Sequence, residues 1–192
     1  MKSTYWLFVF VGLVSASLFG QTRRPGAQAG ETSAVFEGKD TLVRPERYRE
    51  WIFVGSSIGL SYAETPDGRG ADLFHNVYIN PPAYRTYVET GKFPDGTVMV
   101  LELARSETKK EPGLQGSYEK EYVALEASVK DSKRFDGGWG FFGFTDNDGK
   151  LKAKAQALPE TSGCRACHEK RAETDHVFTQ FYPVLRSARA KP

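Results

Sequence analysis

Two cysteines, Cys164 and Cys167, are the only ones in the 192-residue chain, and His168 follows the second directly. Cys-x-x-Cys-His is the spacing of c-type haem attachment. Two thiols add across the two vinyl groups of a porphyrin. The two-residue spacer brings both to one macrocycle edge from a single helical turn, and the adjoining imidazole comes under the iron as proximal ligand. Other uses of these residues fit less well. A zinc site needs a fourth ligand in a matching pair, and none is near in sequence. A thioredoxin-like redox pair belongs in a βαβ context that this chain lacks. An exported small domain that relies on disulfides carries more cysteines at wider spacing.

The group opposite His168 decides what such an iron can do. Electron-transfer cytochromes close the sixth position with Met or a second His. Apart from Met1 the chain has one methionine, Met99, and apart from His168 two histidines, His75 and His176. Met99 falls in a strand pattern, where methionine ordinarily packs a core. His75, between Phe74 and Asn76, is read either as a hydrogen-bonded scaffold residue or as a ligand. His176 lies too close in sequence to His168 to reach the opposite haem face. This scarcity favours an open or weakly closed sixth site, which takes small ligands. An electron carrier closed by Met99 or His75 is the alternative, and an inert haem-binding domain used in assembly or redox sensing is a third reading.

The elements that must position these residues are legible in part. Residues 1–20 (MKSTYWLFVFVGLVSASLFG) combine Lys2, an apolar stretch from Trp6 to Val14 and small residues from Ser15. This is the order of a secretory signal peptide, cut between about Ala16 and Gln21. It implies a periplasmic or otherwise exported protein with no membrane span after cleavage, since no later apolar run has the length a bilayer needs. Residues 21–44 read as a flexible leader and 45–188 as the folded domain. Within it, PERYREW suits a short helix, and WIFVGSSIGLSY and DLFHNVYI suit strands, the first of them bulged at its glycines. Pro81 to Thr90 is expected as a helix, with Asn80 as N-cap and Gly91 as its stop. TVMVLELA is a strand, SETKKEPGLQGS a polar loop, and YEKEYVALEASVK is compatible with helix or strand. WGFFGFT is a strand, and Leu158 to Leu185 is helical in pieces broken by Pro183. Interspersed elements with short loops predict an α+β fold, a twisted antiparallel β-sheet packed with helices and carrying the haem motif near its C-terminus. Hydrophobic residues make up 40 % and charged residues 26 %, with 26 basic against 24 acidic side chains. That composition supports a core and lacks the basic excess of a nucleic-acid binder.

Beyond the motif, the segments YREWIFVG, VYINPPAYRTY, FPDGTV, YVALEASVKDSKRF, CRACH and TDHVFTQFYPVLR resemble cytochrome P-460 and the related cytochrome c′-β group, from about Tyr48 to Arg186. The resemblance implies a twisted antiparallel sheet with helices, commonly a homodimer, and one covalent haem c whose distal face admits small ligands. It implies chemistry on hydroxylamine or nitric oxide, and a redox partner cytochrome. Cytochrome P-460 oxidises hydroxylamine with an extra lysine bond to a haem meso carbon. In this chain the matching position is Leu101, and the strand Thr97 to Leu103 holds no lysine. The c′-β relatives lack the cross-link and bind nitric oxide under an apolar cap, which Leu101 with Phe74 or Phe93 would suit. His75 stands where the hydroxylamine-oxidising relatives carry an arginine. Alternation puts Met99, Leu101 and Leu103 on one strand face, so the expected distal wall is Leu101, Met99, His75 and Phe74. Glu160, Glu169 and Glu173 are candidate proton carriers. Trp139, Phe141, Phe142 and Phe144 are expected to pack the sheet, and the lysines at 109–110 and from Lys150 to Lys154 to face solvent.

Overall fold

The computed structural model describes residues 32–60 and 72–189. The expected signal peptide and the first part of the expected leader lie outside these residues. Strands β1 (Phe36–Glu37), β2 (Thr41–Val43) and β8 (Lys154–Gln156) form a small antiparallel sheet in the order β1-β2-β8. Strands β3 (Ile52–Ile58), β4 (Leu73–Ile79), β5 (Val98–Glu111), β6 (Leu114–Lys130) and β7 (Trp139–Gly143) form a five-stranded antiparallel sheet in sequence order. Helices α1 (Pro81–Thr90), α2 (Gly163–Arg171) and α3 (Pro183–Arg189) complete the α+β architecture.

Period-two alternation sorts the large sheet into two faces. Val77 and Ile79 of β4, Met99 and Leu101 of β5 and Phe141 of β7 join Tyr87, Val177, Phe178, Tyr182 and Leu185 in one apolar cluster, on the side covered by helices. Val98, Val100, Leu125, Ala127, Val129, Phe142 and Phe144 join Leu42 and Ala155 on the other side, under the small sheet. The aromatic run WGFFGF thus feeds both cores, Trp139 and Phe141 the helix-covered one and Phe142 and Phe144 the one under the small sheet.

Several expectations are corrected. Residues 36–43, assigned to a leader, are two short strands with Leu42 fully buried, so the ordered domain starts before residue 45. PERYREW yields only a 3-10 turn at Tyr48–Glu50, because Arg47 takes a left-handed conformation (φ 49°) and Trp51 is already extended. Asn80 is the N-cap residue of α1 as expected, but its side chain makes no capping bond to the helix. Its side chain accepts from the Val98 N–H at 2.9 Å and donates to the Gly96 carbonyl at 3.0 Å, tying the helix start to β5. Pro81 and Pro82 carry no N–H to cap. The polar loop at 106–117 is a continuation of β5 and β6 into a hairpin, closed by the two-residue turn Pro112-Gly113 with Gly113 at φ 75°. YEKEYVALEASVK is strand throughout. The bulge expected in β3 is present as a register shift between Phe53 and Gly55.

Candidate functional site

Cys164, Cys167 and His168 fall in the first two turns of α2, at i, i+3 and i+4, and so share one helix face. Ser162 caps the helix by accepting from the Arg165 N–H. Arg165, inside the motif, fixes the helix to the body of the protein. Its Nη2 donates to the Asp136 carbonyl at 2.6 Å and its Nε to Glu169 at 2.8 Å. Gly137 lies under this guanidinium at φ 71°, and a Cβ there would come within 2.6 Å of Arg165 Nη2. A side chain at 137 would therefore be strained in its backbone and would displace the Arg165 guanidinium from its bonds.

The His168 ring is held on two sides by aromatic rings, Phe141 at 4.7 Å and Phe178 at 4.6 Å between centroids. Its Nδ1 donates to the His176 carbonyl at 2.6 Å. That bond assigns the proton to Nδ1 and leaves Nε2 as the lone-pair nitrogen. Burial lowers the basicity of His168, so the ring is neutral at pH 7. The accepting carbonyl belongs to a tight turn in which Asp175 (φ 47°) and His176 (φ 61°) are both left-handed, bounded by the Thr174–Val177 bridge. Two such non-glycine residues cost about 1 kcal/mol or more each, and aspartate tolerates the conformation better than most.

These side chains open onto a cavity of about 630 Å³. Cys164, Cys167, His168 and His176 line one part of it. The inner face of the sheet lines the rest, with His75 and Val77 from β4, Met99, Leu101 and Leu103 from β5 and Glu126 and Ser128 from β6. The register sets these in rows, His75 beside Leu103, Val77 beside Leu101 beside Glu126, and Ile79 beside Met99 beside Ser128. Phe141 lies on β7, two strands and so about 10 Å from β5. The His168 side of the cavity and the Leu101 wall therefore stand apart, with room between them.

Of the expected distal wall, Leu101, Met99 and His75 line the cavity and Phe74 does not. Phe74 is one residue out of step with His75 and points to the opposite face, beside Ile58 and Ala104. Phe93 is absent from the wall too; it stacks on Tyr87 at 4.2 Å within the core. His75 is 4 % exposed, its Nδ1 lies 3.2 Å from the Leu73 carbonyl, and burial lowers its basicity. Glu160 and Glu169 pair with Arg165 and Glu173 accepts from Thr179, and none of the three lines the cavity.

One residue escaped the sequence reading. Among the described residues Glu126 is the only carboxylate on the cavity wall, and it pairs with Leu101 across the strands. Burial pushes its carboxyl above the ordinary glutamate range, with no hydrogen-bonded or cationic partner among the described residues. Burial also raises the Cys164 thiol, and the Glu126 charge adds to that rise, so Cys164 is held as a neutral thiol beside the carboxyl. The segment around Glu126 was ambiguous between helix and strand, and its inward position follows only once the strand register is known.

The residues present fit a haem. The cavity is predominantly apolar and in the size range of cofactor sites. Two thiols and a neutral imidazole sit along one part of it, and the Nδ1 of His176 is buried there without a hydrogen-bond partner among the described residues. Among known families, the model described as Cytochrome P460 matches residues 45–179. No curated protein matches the chain.

Proposed function

Because the chain belongs to the cytochrome P460 family, which implies a haem, we propose that it is an exported c-type protein carrying one covalent haem, with an iron open to small nitrogen oxides such as nitric oxide and hydroxylamine. Cys164 and Cys167 would hold the haem through two thioethers, each S–H adding across a vinyl double bond, and His168 would offer its ring nitrogen to the iron. The observation that carries the reading is Leu101, which lines the cavity with Val77, Met99 and Leu103; by the resemblance, this unreactive isobutyl group takes the position of the lysine in the hydroxylamine oxidisers.

Haem iron, when bound, supplies a coordination position and one-electron redox chemistry. The chain's own residues do the remainder. The Leu101 wall excludes water and accepts a small apolar ligand. Glu126, protonated over a wider pH range than an exposed glutamate, holds a proton at the cavity wall. His75, neutral and buried, offers a hydrogen-bonding ring at the far edge. Export rests on the N-terminal sequence pattern; among the described residues no helix is long and apolar enough to cross a membrane. The resemblance supports a redox partner cytochrome and a homodimer as parts of this reading.

A second reading, an electron carrier whose sixth position is closed by Met99 or His75, draws on the placement of both side chains on the cavity wall. Anaerobic titration of the ferrous protein with nitric oxide separates the two. The open site predicts a high-spin spectrum that converts on addition of the gas. Six-coordinate low-spin bands that do not respond to nitric oxide or carbon monoxide would sink it.

A further inference from the structure

We infer that Asp175 is a positioning residue for the axial histidine, acting through the backbone of the turn it opens. This rests on the assignment of His168 as the axial ligand. Asp175 is gripped from two strands of the large sheet. Trp139 Nε1 donates to its Oδ1 at 3.1 Å from β7, and Lys130 Nζ donates to its Oδ2 at 2.5 Å from the end of β6. Lys130 is itself anchored, donating also to the Phe93 carbonyl at 2.8 Å. The next residue, His176, presents the carbonyl that accepts from His168 Nδ1.

The turn needs such a clamp. Both of its central residues are left-handed, and at the second, where glycine would sit without strain, the chain has histidine. An unclamped turn would relax by rotating the peptide that carries the His176 carbonyl. The two bonds to Asp175 oppose that rotation and hold the carbonyl aimed at His168. A short, well-aligned acceptor on Nδ1–H raises the electron density at Nε2 and makes the imidazole a stronger ligand. The sheet thereby sets the donor strength of a ligand on a separate helix, through a single carboxylate.

The test uses the haem-loaded protein in three forms, wild type, Asp175→Ala and Trp139→Phe. The second variant keeps an aromatic ring in the core and removes the indole donor at the cost of some buried volume, so it serves if the first does not fold. The readouts are the iron–histidine stretching band of the ferrous protein in resonance Raman and the reduction potential. Both variants are expected to lower the stretching frequency and raise the potential, Asp175→Ala more than Trp139→Phe. A wild-type band that stays at the same frequency in both variants, with unchanged potentials, overturns the clamp and leaves the axial assignment standing. Absence of the band from the wild type overturns the open-site reading instead; the potentials then decide the clamp alone, and equal values in all three proteins overturn it.

Discussion

A buried glutamate and a half-buried one lie on adjacent strands of one sheet, facing opposite ways, and they have opposite fates. Glu102 of β5 points away from the cavity and is 2 % exposed. It accepts from Arg49 Nε at 2.9 Å, from the Tyr48 hydroxyl, and from Tyr78 at 3.4 Å. The tyrosines register its presence. Burial and then Glu102 push Tyr78 up to about 12, and the same two causes raise Tyr48 further. Arg49 also covers the Tyr122 ring at 4.8 Å. Glu126 of β6 points into the cavity, and burial alone moves its proton equilibrium. A buried carboxylate whose lone pairs are filled by the protein is scaffold. One left without partners on a cofactor wall is held for a ligand or a proton.

The contrast breaks most visibly at Glu102. Glu102→Ala leaves the Arg49 guanidinium and two hydroxyls without their acceptor. We expect a loss of about 2–3 kcal/mol in denaturant unfolding, below the full value for a buried pair because Arg49 is half-exposed. The visible spectrum of the haem should not change. A spectral shift as large as that of a cavity substitution would show that the two faces are not independent.

The effect at Glu126 is smaller and depends on pH. A carboxyl whose folded pKa is raised binds its proton more tightly folded than unfolded. Its contribution to stability is complete below the unfolded glutamate value and is lost as pH rises through the folded value. Glu126→Gln should therefore be more stable than wild type by roughly 1 kcal/mol at pH 7, the low end of the cost of an unpartnered buried polar group. At pH 4 the two should be nearly equal. Equal stability at both pH values would mean that Glu126 is solvated or paired, and the comparison with Glu102 would lose its basis.

The smallest effect belongs to a third setting of the same chemistry. On the projecting hairpin Arg105 Nε donates to Glu121 at 2.9 Å with both side chains more than half exposed. Arg105→Ala should cost less than about 0.5 kcal/mol, and little of that should survive in high salt. A larger loss would mean that the hairpin face is covered in solution.

How much of this was legible from the residues follows the same physics. Cys164, Cys167 and His168 were visible because their spacing is local and is set by one helical turn. The helix Pro81–Thr90 was visible because Asn80-Pro81-Pro82 and Gly91 bracket it. The hairpin was hidden because a ribbon exposed on both faces needs no apolar alternation, so polar strand reads as loop. Phe74 was misassigned by one residue, which in a strand is a change of face. Glu126 and the Asp175 clamp depend on cross-strand register and on contacts 36 and 45 residues apart, which no local pattern encodes. Leu42 was missed because a three-residue strand carries too little periodicity to separate from coil.

The central claim is that one haem is joined to Cys164 and Cys167 in this cavity. Its most direct test is the intact mass, under denaturing conditions, of protein matured in a host with a working c-type assembly system. The account predicts the mass of the processed polypeptide plus one haem, reverting to the bare polypeptide in a Cys164→Ser/Cys167→Ser double variant. The bare polypeptide mass in the unaltered protein would contradict it.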